Sequence, residues 1–77
     1  MNQFITRAAQ SAFNQAGYPK EDAYRQAQAI AKIMLEQIDE YRMAYGIDDE
    51  FELAYQVARS AADYRQPIYR RLQHLPN

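Results

Sequence analysis

Few side chains in this sequence could carry acid–base or nucleophilic catalysis. Histidine is the side chain that titrates near neutral pH without special burial, and the sequence has one, His74, close to its last residue. Fraying is expected there, so His74 could not hold a catalytic geometry. Cysteine is absent, and the aliphatic hydroxyls are limited to Ser11, Ser60 and Thr6. Because no mutually supporting catalytic set can be assembled, we predict that the protein is not an enzyme and uses no cofactor.

Carboxylates are the second group with chemical potential, and they are concentrated in one segment. Residues 36–52 contain seven acidic side chains against Arg42 alone, a net charge of −6, whereas residues 1–35 carry +2 and residues 53–77 carry +3. Glu36, Asp39 and Glu40 could present oxygens to a hard cation, but the acidic loop of an EF-hand and the Glu-x-x-His pair of helical metal sites are missing. We therefore interpret these carboxylates as a solvated helix face and predict no metal site.

This acidic corner, residues 36–52, is larger than helix capping requires. Asp49 and Glu50 suit the start of a helix, whereas Asp39 and Glu40 are expected near a helix C-terminus, where negative charge is unfavourable. The excess favours docking to a basic partner through electrostatic steering and complementarity. The predicted partner-binding residues are these acids with the neighbouring apolar and aromatic side chains: Glu36, Asp39, Glu40, Met43, Tyr45, Asp48 and Asp49.

Tyrosine and arginine form a second unusual pattern. The sequence has seven tyrosines and no tryptophan, and four of the tyrosines directly precede an arginine. Both residue types are enriched at interfaces. We expect Tyr24 and Tyr41 to lie at the rim of the fold, with the ring packed and the hydroxyl in water. An alternative nucleic-acid-binding face lies toward the C-terminus, although the net charge of −1 disfavours it. Its residues are Arg59, Arg65, Tyr69, Arg70 and Arg71.

Helices must position these side chains, because alanine and glutamine are abundant and there are only two glycines. Gly17 and Gly46 each predict a helix end in which glycine is left-handed and the next apolar side chain folds back onto the last turn. The expected contacts are Tyr18 with Phe13 and Ile47 with Tyr41. Three helical stretches follow, over roughly residues 3–16, 20–45 and 49–75.

The first two stretches differ in their apolar faces. The first has apolar side chains on one side only, including Phe4, which predicts a helix on the surface of the domain. The second is the longest, at about 37 Å by helical rise. Ile33 and Leu35 widen its apolar face to about 200°, which predicts a central helix with two neighbours.

The third stretch has a clear start and an interrupted course. Asp49 precedes Glu52 by three residues, which resembles a capping box with aspartate as the cap. Pro67 lacks an N–H and clashes with the carbonyl four residues before it. Because the apolar register continues past it, we predict a third helix kinked at Pro67, with a short fourth helix starting near Pro67 as the alternative.

The sequence thus predicts an all-α fold, a compact three-helix bundle over residues 1–77 as one domain. No segment approaches the ~20 apolar residues of a membrane span, and we expect a cytoplasmic protein. By analogy with small phage and plasmid proteins, we predict a protein-binding regulator or inhibitor with a basic partner. Nucleic-acid binding is the alternative. Homodimerisation through Ile33, Leu35 or Leu53 is compatible with either.

Overall fold

The computed structural model describes the backbone of residues 3–74 and the side chains of residues 3–63. In that part of the chain there are four helices and no strand: α1 (Gln3–Gln15), α2 (Lys20–Glu36), α3 (Ile38–Tyr45) and α4 (Glu50–His74). The all-α prediction is confirmed. The predicted count of three helices is wrong, because the second predicted stretch is two helices.

The turn between α1 and α2 forms as the sequence predicts. Gly17 has a φ of 93°, and its N–H donates to the Asn14 carbonyl at 3.0 Å. The Tyr18 N–H donates to the Phe13 carbonyl at 3.1 Å, which completes the paired hydrogen bonds of a Schellman motif. The Tyr18 ring packs edge-on against Phe13, with centroids 5.1 Å apart. The short turn makes α2 run antiparallel to α1.

The turn between α3 and α4 also follows the predicted glycine. Gly46 has a φ of 69°, and its N–H donates to the Arg42 carbonyl at 2.8 Å, a single closing bond. Ile47 packs against the core, while its expected contact with Tyr41 stays a prediction. The Glu52 N–H donates to Asp49 Oδ2 at 2.9 Å, so the predicted aspartate cap of this helix is confirmed.

The predicted helix over residues 20–45 is interrupted at Gln37. This residue has φ −128° and ψ 39°, outside helical values. Its N–H lies 3.2 Å from both the Ile33 and the Met34 carbonyl, a shared bond common at helix ends. The Tyr41 N–H still donates to the Gln37 carbonyl at 3.1 Å. Gln37 therefore ends α2 and begins α3 without a connecting loop.

The length of the neighbouring helix explains this break. The 13 residues of α1 span about 20 Å, whereas an unbroken helix over residues 20–45 would reach about 37 Å. Beyond the start of α1, a straight helix would have no neighbour against which to bury Ile38 and Tyr41. After the break, both side chains pack partly against the core.

α1 is the central helix, and the prediction that it lies on the surface is wrong. It packs extensively against both α2 and α4, whereas α2 and α4 meet over a much smaller area. Alanines on α1, such as Ala9 and Ala12, are buried and let both neighbours approach closely. The buried positions of α2 form one narrow stripe of Ala23, Ala27, Ala31 and Met34. The wide apolar face predicted for α2 therefore does not make an equally wide contact with the neighbouring helices.

The core is small and rich in alanine. Its largest fully buried side chains are Phe13, Ile5, Met34 and Leu53. The burial of Leu53 corrects the expectation that it could serve as a self-association surface. Ile33 and Leu35, the other residues of that expectation, are 46% and 36% exposed.

Phe4 also departs from its predicted place on the buried face of the first helix. It is 66% exposed, and its ring packs edge-on against Phe51 with centroids 6.5 Å apart. This contact places the start of α1 beside the start of α4. The two helices therefore run in the same direction, with α2 antiparallel to both.

α4 is one helix from Glu50 to His74 and includes Pro67. The continuous apolar register predicted this continuity, and the alternative of a separate helix starting near Pro67 is wrong. The kink at Pro67 stays a prediction. Among the described residues, no helix is long and apolar enough to cross a membrane.

Replacing Gly17 with L-alanine should destabilise the protein through backbone strain alone. An added Cβ would meet nothing within 4 Å, but an L-residue at this positive φ costs roughly 1–2 kcal/mol. We expect the melting temperature to fall by about 4–8 °C for each kcal/mol in a domain of this size. D-Alanine at the same position, introduced by chemical synthesis, should keep or raise the melting temperature. Equal losses for both isomers would contradict this explanation.

Candidate functional site

α3 is the most exposed helix of the acidic corner. None of its residues is fully buried, although Ile38 and Tyr41 pack partly against the core. Helical spacing puts Asp39, Glu40 and Met43 on the opposite face. Met43 is 86% exposed, more than any other large apolar side chain in the described part of the protein. α3 therefore presents a methionine between two carboxylates to solvent.

The predicted carboxylates of the corner all reach water. They are distributed over the end of α2, the outer face of α3 and the turn into α4. Exposed positions are Glu36, Asp39, Glu40, Asp48 and Asp49. The structure thus brings the predicted acidic residues to one end of the bundle, where α1 and α4 begin and α2 ends.

The helix break changes the electrostatic interpretation of these residues. Asp39 and Glu40 lie in the first turn of α3, where the helix dipole stabilises negative charge. The expectation that they lie near an unfavourable helix C-terminus is therefore wrong. Glu36 instead occupies that position, because it is the last residue of α2, whose last turn contains no basic side chain. The carboxylate that the fold least requires is Glu36.

Arg42 ties α3 to the start of α4. Its Nε donates to the Asp48 carbonyl at 3.2 Å, and its Nη2 donates to Glu50 Oε1 at 3.2 Å. Nη1 lies 4.0 Å from the Asp39 carboxylate. Among the described side chains, the only other ion pair joins Arg25 and Asp22, outside this corner. Glu36, Glu40, Asp48 and Asp49 therefore form no ion pair with a described side chain.

Asp49 and Tyr45 have structural roles beside their exposure. The carboxylate of Asp49 caps α4 through its bond with the Glu52 N–H, so any partner would compete with that bond. Tyr45 is 37% exposed, and its ring stacks on Tyr41 with centroids 6.3 Å apart. Tyr45 is therefore only partly available to a partner.

Exposed apolar side chains lie at the same end, and of these the sequence reasoning missed the aromatic pair, since Ile33 and Leu35 were predicted for self-association. Phe4 and Phe51 form their aromatic pair there, and Ile33 and Leu35 lie on the final turns of α2. Phe51 is 46% exposed. A usable signal was present, because Phe51 falls outside the buried stripe that begins at Leu53.

The alternative nucleic-acid-binding face lies mostly outside the described side chains. That applies to Arg65, Tyr69, Arg70 and Arg71. Arg59 is exposed and lines a cavity of about 170 Å³ between α1 and α4. Asp63 and Tyr55 line the same cavity, and the Tyr55 hydroxyl donates to Gln15 Oε1 at 2.5 Å.

A polar groove between α1 and α2 is a second feature that the sequence reasoning missed. It holds a cavity of about 520 Å³, lined by Gln3, Thr6, Arg7, Gln10, Tyr24 and Gln28. Tyr24 is 48% exposed, so its ring is less packed than expected, whereas Tyr41 is half-buried at the rim. Helical spacing predicts the polar side chains of each helix separately, but the groove also requires the pairing of the two helices.

Among the described residues, no three histidine or acidic side chains are grouped so that they could hold a metal ion. No known family model, curated protein or solved structure matches the chain. The function must therefore be inferred from the geometry and charge of these surfaces.

Replacing Arg42 with glutamine should loosen α3 without unfolding the bundle. The substitution removes the ion pair with Glu50, and exposed pairs contribute at most about 1 kcal/mol. We expect faster amide hydrogen exchange across residues 38–48 and unchanged exchange in α1. Arg25→Gln is the matched control, because the pair with Asp22 lies within one helix. Equal effects of the two substitutions on α3 would contradict the assigned role of Arg42.

Proposed function

We propose that the protein is a small non-enzymatic regulator or inhibitor that binds a basic surface of another protein through its acidic corner. The observation that carries this proposal is the outer face of α3, where Met43 is 86% exposed between Asp39 and Glu40. Methionine is adaptable at binding surfaces, since its side chain is flexible and polarisable. A partner that presents cations around an apolar position would match this face.

Charge supports the same surface. Arg42 is the only cation of the corner and is already bonded to the turn and to Glu50. The exposed carboxylates of Glu36 and Glu40 therefore remain to attract a basic partner. Complementary charges accelerate diffusional encounter and select orientation.

Apolar side chains beside the carboxylates would slow the dissociation of the complex. Ile33, Leu35 and the Phe4–Phe51 pair lie at the same end of the bundle. Specific interfaces combine such an apolar centre with a polar rim. The corner therefore supplies both the charge for encounter and apolar area for retention.

Substituting Glu36 separates binding from stability. Glu36→Gln should leave the free energy of unfolding unchanged or raise it by about 0.3–1 kcal/mol, because it removes a negative charge from a helix C-terminus. Glu21→Gln is the matched control at the other end of the same helix, where the loss of charge should lower stability by a similar amount. Urea denaturation measures both changes.

The same two variants test the partner site. We expect Glu36→Gln, combined with Glu40→Gln, to weaken binding to a protein captured by the wild-type chain and then purified, mainly through a slower association rate. Glu21→Gln should bind like the wild type. The wild-type association rate should fall between about 50 mM and about 200 mM salt. Identical association rates for all variants would rule out the acidic corner as the binding surface.

Substituting Met43 tests the apolar part of the interface. Met43→Gln should leave the melting temperature unchanged, because the side chain is exposed. We expect a dissociation rate about tenfold faster, since losing an apolar anchor acts mainly on dissociation. Met43→Leu keeps an apolar side chain of similar size and should dissociate like the wild type. A dissociation rate unaffected by Met43→Gln would exclude this residue from the interface.

A further inference from the structure

The polar groove between α1 and α2 is built from long side chains above an alanine-lined helix contact. Ala23 and Ala27 of α2 are fully buried, and the small contact brings the helices close while their longer neighbours stand on either side. The cavity of about 520 Å³ adjoins a second of about 510 Å³, and Gln10 and Tyr24 line both. Each volume falls within the range of about 300–1,000 Å³ that is typical of small-ligand sites.

Positive charge dominates this groove. Arg7 is the only charged residue that lines the first cavity. Lys20 and Arg25 line the second cavity with Glu21. Within residues 3–63, Arg7 makes no ion pair. The pair between Arg25 and Asp22 is long, at 3.8 Å, and exposed, so it competes weakly with a ligand.

Tyr24 supplies a flat surface where the two cavities meet. Its side chain is 48% exposed, and its hydroxyl accepts a hydrogen bond from Gln28 Nε2 at 3.1 Å. That bond engages the hydroxyl and does not involve the face of the ring. Gln3 and Gln10 add amides that can both donate and accept hydrogen bonds.

We infer that this groove binds a nucleoside phosphate, either as a free nucleotide or as part of a single strand. The phosphate, the face of the base and the edge of the base each have a counterpart in the groove. A guanidinium such as that of Arg7 binds phosphate oxygens, and the Tyr24 ring stacks on a base. The glutamine amides can pair with the edge of the base, as glutamine does with adenine.

An acidic peptide is the competing occupant, since it would also satisfy the cations. It would leave the exposed tyrosine ring without a stacking partner, so the ring favours the nucleoside phosphate. The site is distinct from the acidic corner in both residues and charge. Its test is therefore independent of the proposed protein partner.

Binding should be measured by fluorescence anisotropy with labelled single-stranded oligodeoxyadenylate, and by NMR titration with ATP. We expect Arg7→Gln to weaken oligonucleotide binding about tenfold, because charge-assisted hydrogen bonds are lost. Tyr24→Leu should also weaken it about tenfold, through lost stacking, whereas Tyr24→Phe should bind like the wild type. Arg7→Gln should reduce the slope of log affinity against log salt by about 0.7.

Lys32→Gln is the matched control, because Lys32 is an exposed cation of α2 that does not line either cavity. It should bind like the wild type. Competition between ATP and the strand would identify the free nucleotide as a sufficient ligand, and binding of the strand alone would identify a polymer site. Circular dichroism checks that each variant folds.

Three results would overturn the inference. The first is no binding of either probe at about 50 mM salt. The second is evidence that the groove attracts any polyanion. Such evidence would be an equal loss of affinity in Lys32→Gln and Arg7→Gln, or displacement of the strand by polyphosphate with unchanged affinity in Tyr24→Leu. The third is loss of binding in Arg70→Gln with Arg71→Gln while Arg7→Gln binds normally, which would move the site to the C-terminal residues.

Discussion

The close contact of α1 with both α2 and α4 is the constraint on which the rest of the structure depends. α1 contributes Phe13 and Ile5, two of the largest fully buried side chains, and buried alanines on the same face let the two neighbours approach. Alanine loses little entropy in a helix, but each buried alanine removes little apolar area from water. The core therefore depends on a few large residues held where three helices meet.

The shortness of α1 determines where that core ends. α1 has 13 residues, so an α2 continued straight past the start of α1 would leave the three-helix core. The chain changes direction at Gln37, and the residues that follow form α3. This keeps Ile38 and Tyr41 in partial contact with the core. The cost is a helix with no fully buried residue. The same limit that ends the core thus exposes Met43 and the carboxylates around it.

Local signals in the sequence predicted the turns, whereas features that depend on contacts between distant residues could not be predicted. Gly17, Gly46 and the Asp49 cap depend on hydrogen bonds within a few residues, so their residue types were enough. The break at Gln37 depends on the length of another helix, and the residue type at that position does not predict it. The carboxylates of the acidic corner could be placed together because they are close in sequence. The groove at Tyr24 could not, since it requires the pairing of two helices.

The break at Gln37 also decides how the acidic corner balances its own charge. First-turn carboxylates such as Asp39 interact with the partial positive charge of a helix N-terminus, roughly half a unit. Arg42 offsets part of the remainder through Glu50. Glu36 has neither compensation, because it ends α2, where the helix dipole is also negative. Glu36 is therefore the carboxylate of the acidic corner that the fold compensates least.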